Sequence, residues 1–156
     1  MPPTTILVTG ASGFIGCHCV LDLLNHGYQV RGSVRDLGRT NALEATLGTN
    51  GADISKLGWV AASLTEPDNW SAAVEGCDAI FHVASPVRTI QPKNAVDVIE
   101  PAKQSILNVL AAAASHGVNR VVLTSSVTAI FGGISPYRVY TGGRSKPIST
   151  AELPTA

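Results

Sequence analysis

Three glycines open the chemistry of this sequence. Gly10, Gly13 and Gly16 recur at every third position of Gly10-Ala11-Ser12-Gly13-Phe14-Ile15-Gly16, directly after the β-branched and aliphatic run Thr5 to Thr9. A continuous apolar run of that kind reads as a strand buried on both faces of a parallel sheet. From Phe14 onward Ile15, Cys19, Val20, Leu23 and Leu24 return at helical spacing, and Gly27 follows as a C-terminal cap. The glycines therefore occupy a strand-to-helix turn. There Gly10 permits the tight turn, Gly13 lets the backbone come close to a pyrophosphate, and Gly16 lets the helix pack closely on the strand. Phosphates would sit on the free N–H groups and positive end of the helix, so Ser12, Phe14 and Ile15 belong to the expected contact surface. A glycine triplet that is only a turn is the plainer alternative.

The residue at the end of the next strand bears on which dinucleotide such a loop would hold. Proteins that bind NAD place an acid there, on the ribose hydroxyls, about 20 residues past the glycines. This sequence has Arg35. A guanidinium fork matches a 2′-phosphate, whereas an acid would repel it, so NADP(H) is expected over NAD(H). The alternative is a solvated strand-end arginine beside Asp36. Arg39 is a weaker candidate for the same phosphate, and Arg31 alternates in phase with strand-interior positions. His18, His26, His82 and His116 show no metal spacing, and His82, within a buried-strand pattern, reads as a satisfied core histidine. Cys17, Cys19 and Cys77 are odd in number and lack CxxC spacing, which suggests packed, reduced thiols and no metal site.

The elements that must position these groups alternate in type. Strands are expected at Thr5 to Thr9, Gln29 to Val34, Trp59 to Ala62, Ala79 to Ala84 and Arg120 to Ser125. Weak helical stretches lie near Thr40 to Leu47 and Asn69 to Glu75. A long one reaches His116 with Ile99, Ala102, Ile106, Val109 and Ala113 on one face, and Pro101 must start or kink it. Trp59 and Trp70 are expected to pack against the sheet. Five strands alternating with helices call for right-handed crossovers, and so for an α/β Rossmann-type doubly wound parallel sheet of order 3-2-1-4-5. After Ser126 the glycines and prolines from Gly132 to Pro154 break every periodic run, and that tail reads as irregular.

With 156 residues the chain suits one folding unit, and 14% charged content argues against disorder. Its 11 basic and 11 acidic side chains balance, which gives no electrostatic reason to expect nucleic acid or an anionic membrane as partner. No apolar run is long enough for a membrane span, and Met1-Pro2-Pro3-Thr4-Thr5 lacks the basic opening of a signal peptide, so a cytoplasmic protein is expected.

The glycine spacing is GxxGxxG, and TGASGFIG resembles the cofactor motif of the extended short-chain dehydrogenase/reductase family, within the NAD-dependent epimerase/dehydratase superfamily. Val34 to Asp36 (VRD), Phe81 to Pro86 (FHVASP) and Leu123 to Val127 (LTSSV) follow in order and resemble the dihydroflavonol reductase, cinnamoyl-CoA reductase and aldehyde reductase branch. The resemblance covers roughly Thr5 to Gly132 and implies that Val83, Ala84 and Ser85 run along the cofactor. It also implies that Ser126 is the active-site serine, polarising a substrate carbonyl from the C-terminal end of a strand; Ser125 is the adjacent alternative. Two features depart from the family. Ser63 stands where an aspartate usually holds the adenine amino group, and Tyr28, Tyr137 and Tyr140 are followed four residues on by Gly32, Thr141 and Arg144, so the family's YxxxK acid is missing.

The expected protein is therefore the NADP(H)-binding part of an enzyme that reduces a small-molecule ketone or aldehyde by hydride transfer. Residues 1–132 would form the dinucleotide-binding domain, and 133–156 an irregular tail that starts a missing or truncated C-terminal portion. Without YxxxK the 156-residue chain itself is expected to be inactive. A sugar-nucleotide epimerase or dehydratase, disfavoured by VRD, and a non-catalytic NADP(H)-binding module, favoured by the missing tyrosine, are the alternatives. The apolar Val121-Val122-Leu123 at a sheet edge further suggests self-association.

Overall fold

The five strands β1 (Thr5–Thr9), β2 (Gln29–Val34), β3 (Leu57–Ala61), β4 (Ala79–His82) and β5 (Val121–Leu123) form one sheet in the order β3-β2-β1-β4-β5. Every pairing is parallel, and the order is the expected one. The structure, a computed structural model, describes residues 4–86, 94 and 96–126. The chain divides into two units, Met1–Thr124 and Ser125–Ala156. The expected domain boundary at 132/133 lies outside the described residues.

Helices cover both faces of the sheet. On one side Ile6 and Val8 of β1 pack with Val20, Leu23 and Leu24 of α1 (Phe14–Asn25) and with Leu47 of α2 (Thr40–Thr49). On the other, Leu7 and Ile80 pack with Trp70 and Val74 of α3 (Trp70–Val74) and Val109 of α4 (Val96–Ser115). Successive strand residues point to opposite faces, so a run such as Ile6-Leu7-Val8 feeds both layers. Arg31 pairs in register with Leu7 and therefore faces the α3 side. Its guanidinium donates to the carbonyls of Ala73 at 3.0 Å and Glu75 at 2.6 Å, closing the C-terminal end of α3. Trp59 lies across Gly32, where any Cβ would meet its ring, and donates to Glu44 at 2.8 Å.

Several expected boundaries move, for local reasons. The third strand begins at Leu57 and ends at Ala61 rather than running Trp59 to Ala62. The fourth stops at His82, not Ala84, because the amides of Val83 and Ala84 both turn to the Thr9 hydroxyl at 3.0 Å. With β4 diverging there, the last bond between the two strands runs from the Thr124 amide to the His82 carbonyl at 3.0 Å, and β5 shortens from the expected Arg120 to Ser125. In α4 the buried stripe is Ser105, Asn108, Val109, Ala112 and Ala113, while Ile99 is exposed. The expected face holds at Val109 and Ala113, with Ala102 and Ile106 half-buried, but apolar spacing missed two inward residues that are polar and satisfied: Ser105 donates to the carbonyl of Ala102 and Asn108 to that of Leu64. Pro101 does not start this helix, which begins five residues earlier. No helix of the described residues is long and apolar enough to cross a membrane.

Candidate functional site

The carboxyl ends of the strands open into a cleft of about 600 Å3. Parallel sheets bind ligands there, where neighbouring strands send their chains in opposite directions; here β1 leads towards β2 and β4 towards β5. The turn after β1 forms its floor. Gly10 has φ +65°, a left-handed conformation suited to glycine, and a Cβ on it would press on Ala84 at 2.9 Å. A Cβ on Gly16 would overlap the Gly10 carbonyl, so only glycine lets α1 begin this close to the strand. Gly13 caps α1 with an extended backbone and no side-chain hydrogen bond. The first N–H groups of α1, those of Phe14, Ile15 and Gly16, thus lack the side-chain partner that commonly satisfies a helix start.

All ten residues expected to hold a dinucleotide line this cleft. Gly10, Ser12, Gly13, Phe14, Ile15 and Gly16 form the floor; Arg35 stands at the end of β2; Val83, Ala84 and Ser85 follow β4. Phe14 is 82% exposed although apolar. Arg35 is exposed, and among the described residues it makes no hydrogen bond or ion pair. Arg39 is not among the lining residues, and Arg31 is occupied by α3. Ser126 belongs to the second unit, where it is exposed. Tyr137 and Tyr140 lie outside the described residues, and Tyr28 precedes β2 at the end of the sheet remote from the cleft.

Behind the cleft wall is a polar junction that residue patterning did not reveal. Thr9 and His82 are paired in register as the last residues of β1 and β4, and the Thr9 hydroxyl lies 3.0 Å from His82 Nδ1. That oxygen already accepts from Val83 and Ala84, which uses both lone pairs. Its own proton must then go to His82, so Nδ1 accepts and the neutral ring carries its hydrogen on Nε2. Burial holds the imidazole below its ordinary pKa and so favours that neutral form. Nε2 is buried without a partner among the described residues, so His82 is the expected core histidine but only half satisfied. Both partners are strand-end residues of a parallel sheet, the one signal that could have marked them; their pairing is non-local.

The cleft extends past the expected residues to Ser33, Ala62, Leu64, Thr65 and Pro86, with Ser63 among them. Of its lining side chains Arg35 alone carries charge, and the other polar ones are hydroxyls. Such a lining suits a ligand rich in negative charge and in hydroxyl groups. Among the described residues no three His, Cys, Asp or Glu side chains gather as metal ligands. Cys17, Cys19 and Cys77 are free thiols, and burial pushes those of Cys17 and Cys77 up.

Comparison with known proteins identifies a family. Residues 6–150 match the family described as NAD dependent epimerase/dehydratase. The chain is 38% identical over 124 residues to dihydroflavonol 4-reductase of Dianthus caryophyllus, covering 78% of this chain and 34% of that protein. To cinnamoyl-CoA reductase 1 of Oryza sativa subsp. japonica it is 42% identical over 125 residues, covering 80% of this chain and 35% of the relative. The solved structure of yeast methylglyoxal/isovaleraldehyde reductase complexed with NADPH is similar at a TM-score of 0.69 and 28% identity, over 81% of this chain and 38% of that one. The chain thus spans about a third of the length of the curated relatives it matches.

Proposed function

Since the chain belongs to the NAD dependent epimerase/dehydratase family, we propose that its cleft holds NADP(H) in preference to NAD(H), for the reduction of a small-molecule ketone or aldehyde. The observation that carries this reading is Arg35, the charged side chain of the cleft, standing at the end of β2 without a partner among the described residues. The uncapped start of α1 and the glycine-lined floor fit a diphosphate. The N–H groups of Phe14, Ile15 and Gly16 bind that diphosphate, the Arg35 fork binds the 2′-phosphate, and Val83, Ala84 and Ser85 run along the nicotinamide ribose. Bound NADPH supplies a hydride. Ser126 donates a hydrogen bond to the substrate carbonyl and polarises it. Relatives named as reductases of carbonyl compounds, one of them solved with NADPH, support the reading.

Calorimetric titration with NADPH and NADH, before and after Arg35→Asp, tests it. NADPH should bind at least about tenfold more tightly, the scale of one charge-assisted hydrogen bond, and the substitution should abolish that preference. Equal binding of the two dinucleotides, or a preference that survives Arg35→Asp, contradicts the assignment.

A further inference from the structure

His82 is 2% exposed and is not among the residues that line the cleft. Its backbone is fixed on both sides, by Thr9 of β1 in register and by the Thr124 amide, which donates to its carbonyl at 3.0 Å. Among the described residues its ring bonds to one group, the Thr9 hydroxyl, at 3.0 Å. That hydroxyl joins two surfaces of the cleft. Thr9 leads directly into Gly10 of the floor, and its oxygen holds the amides of Val83 and Ala84, which line the wall after β4. Floor and wall already touch, since a Cβ on Gly10 would lie 2.9 Å from that of Ala84. A shift of Ala84 therefore changes the space above the glycine turn.

We propose that His82 is a positioning residue for the cofactor: by taking the Thr9 proton it sets the width of the cleft between the glycine turn and the wall of Val83 and Ala84. This deepens the NADP(H) reading above and rests on it. A hydroxyl has one proton and turns about its C–O bond, so the direction of the proton fixes the direction of the lone pairs. With Nδ1 as acceptor the proton is pinned, and both lone pairs face the two amides. Without that acceptor the proton turns elsewhere and carries the lone pairs off at least one amide. The segment after β4 then loses its tie to β1 at the place where the dinucleotide lies.

The test is calorimetric titration of the full chain with NADPH for the unaltered protein, His82→Phe and His82→Asn, at a temperature where urea unfolding shows each to be folded. His82→Phe keeps a ring and removes the acceptor, and should weaken binding by about tenfold, the scale of one lost hydrogen bond. His82→Asn returns an acceptor near the place of Nδ1 and should bind within about threefold of the unaltered chain, whatever it costs in stability. A merely structural histidine would lower the folded fraction, and so the stoichiometry, without changing the affinity. Nitrogen-15 NMR of the unaltered chain at neutral pH should show Nδ1 bare and Nε2 protonated. Equal affinity of His82→Phe, a loss that His82→Asn does not rescue, or the opposite tautomer overturns the proposal and leaves the cofactor reading standing; the tautomer decides even where a variant does not fold. Failure of the unaltered chain to bind NADPH overturns the cofactor reading, and this proposal with it.

Discussion

The Thr9 hydroxyl serves three neighbours at once, the amides of Val83 and Ala84 and the imidazole of His82. Thr9→Val keeps the shape and removes the acceptor, leaving two backbone donors unpaired beside the cleft. The expected cost is about 1–3 kcal/mol for a buried donor so stranded, read by urea unfolding, with Thr9→Ser close to the unaltered protein. His82 adds a pH dependence whose sign follows from burial. Its folded pKa lies below the ordinary 6.5, so the unfolded chain binds the proton more readily. Stability is full above about pH 6.5 and declines as the pH falls through and below it. Asp53, held below its ordinary value by the Ser55 hydroxyl and Lys56, loses its contribution only in more acid solution, so the two windows separate. His82→Phe should be less stable at neutral pH yet flatter in its pH dependence; a slope unchanged in that variant would show another group to be responsible. Arg35 and the glycines could be found from type and spacing because their roles depend on local turns and strand ends. The Thr9–His82 junction could not, since it joins residues 73 apart in the chain.

Among the elements, β1, β2 and the glycine turn were legible because continuous apolar runs bounded by glycine leave few alternatives. The end of β4 was not, because a side chain from another strand draws its next two amides out of the ladder. The face of α4 was legible at Val109 and Ala113 but not at Ser105 and Asn108, which point inward with their donors satisfied, so polarity does not mark the exposed side. Pro101 sits in the second turn of that helix and removes the N–H that would reach the Asp97 carbonyl. Pro101→Ala should restore that bond and raise stability by up to about 3 kcal/mol, measured by urea unfolding. A variant less stable than the parent would mean that the ring's packing outweighs the missing bond.

For the whole molecule, the sheet has two edges of different character. Among the described residues β5 pairs with β4 alone, and Val122 and Leu123 are 50% and 46% exposed. Unpaired backbone beside exposed apolar side chains is a template for another chain. The 156-residue chain is therefore expected to self-associate in light scattering across a concentration series, and Leu123→Lys to reduce this; a chain monomeric throughout would show that the edge is covered. Binding itself is best located by amide NMR of the labelled chain titrated with NADPH. The amides of Phe14, Ile15 and Gly16 should shift saturably, together with Arg35, Ser63 and Ala84. Shifts gathered anywhere else, or no saturable change at the start of α1, would contradict the assignment of this cleft to the dinucleotide.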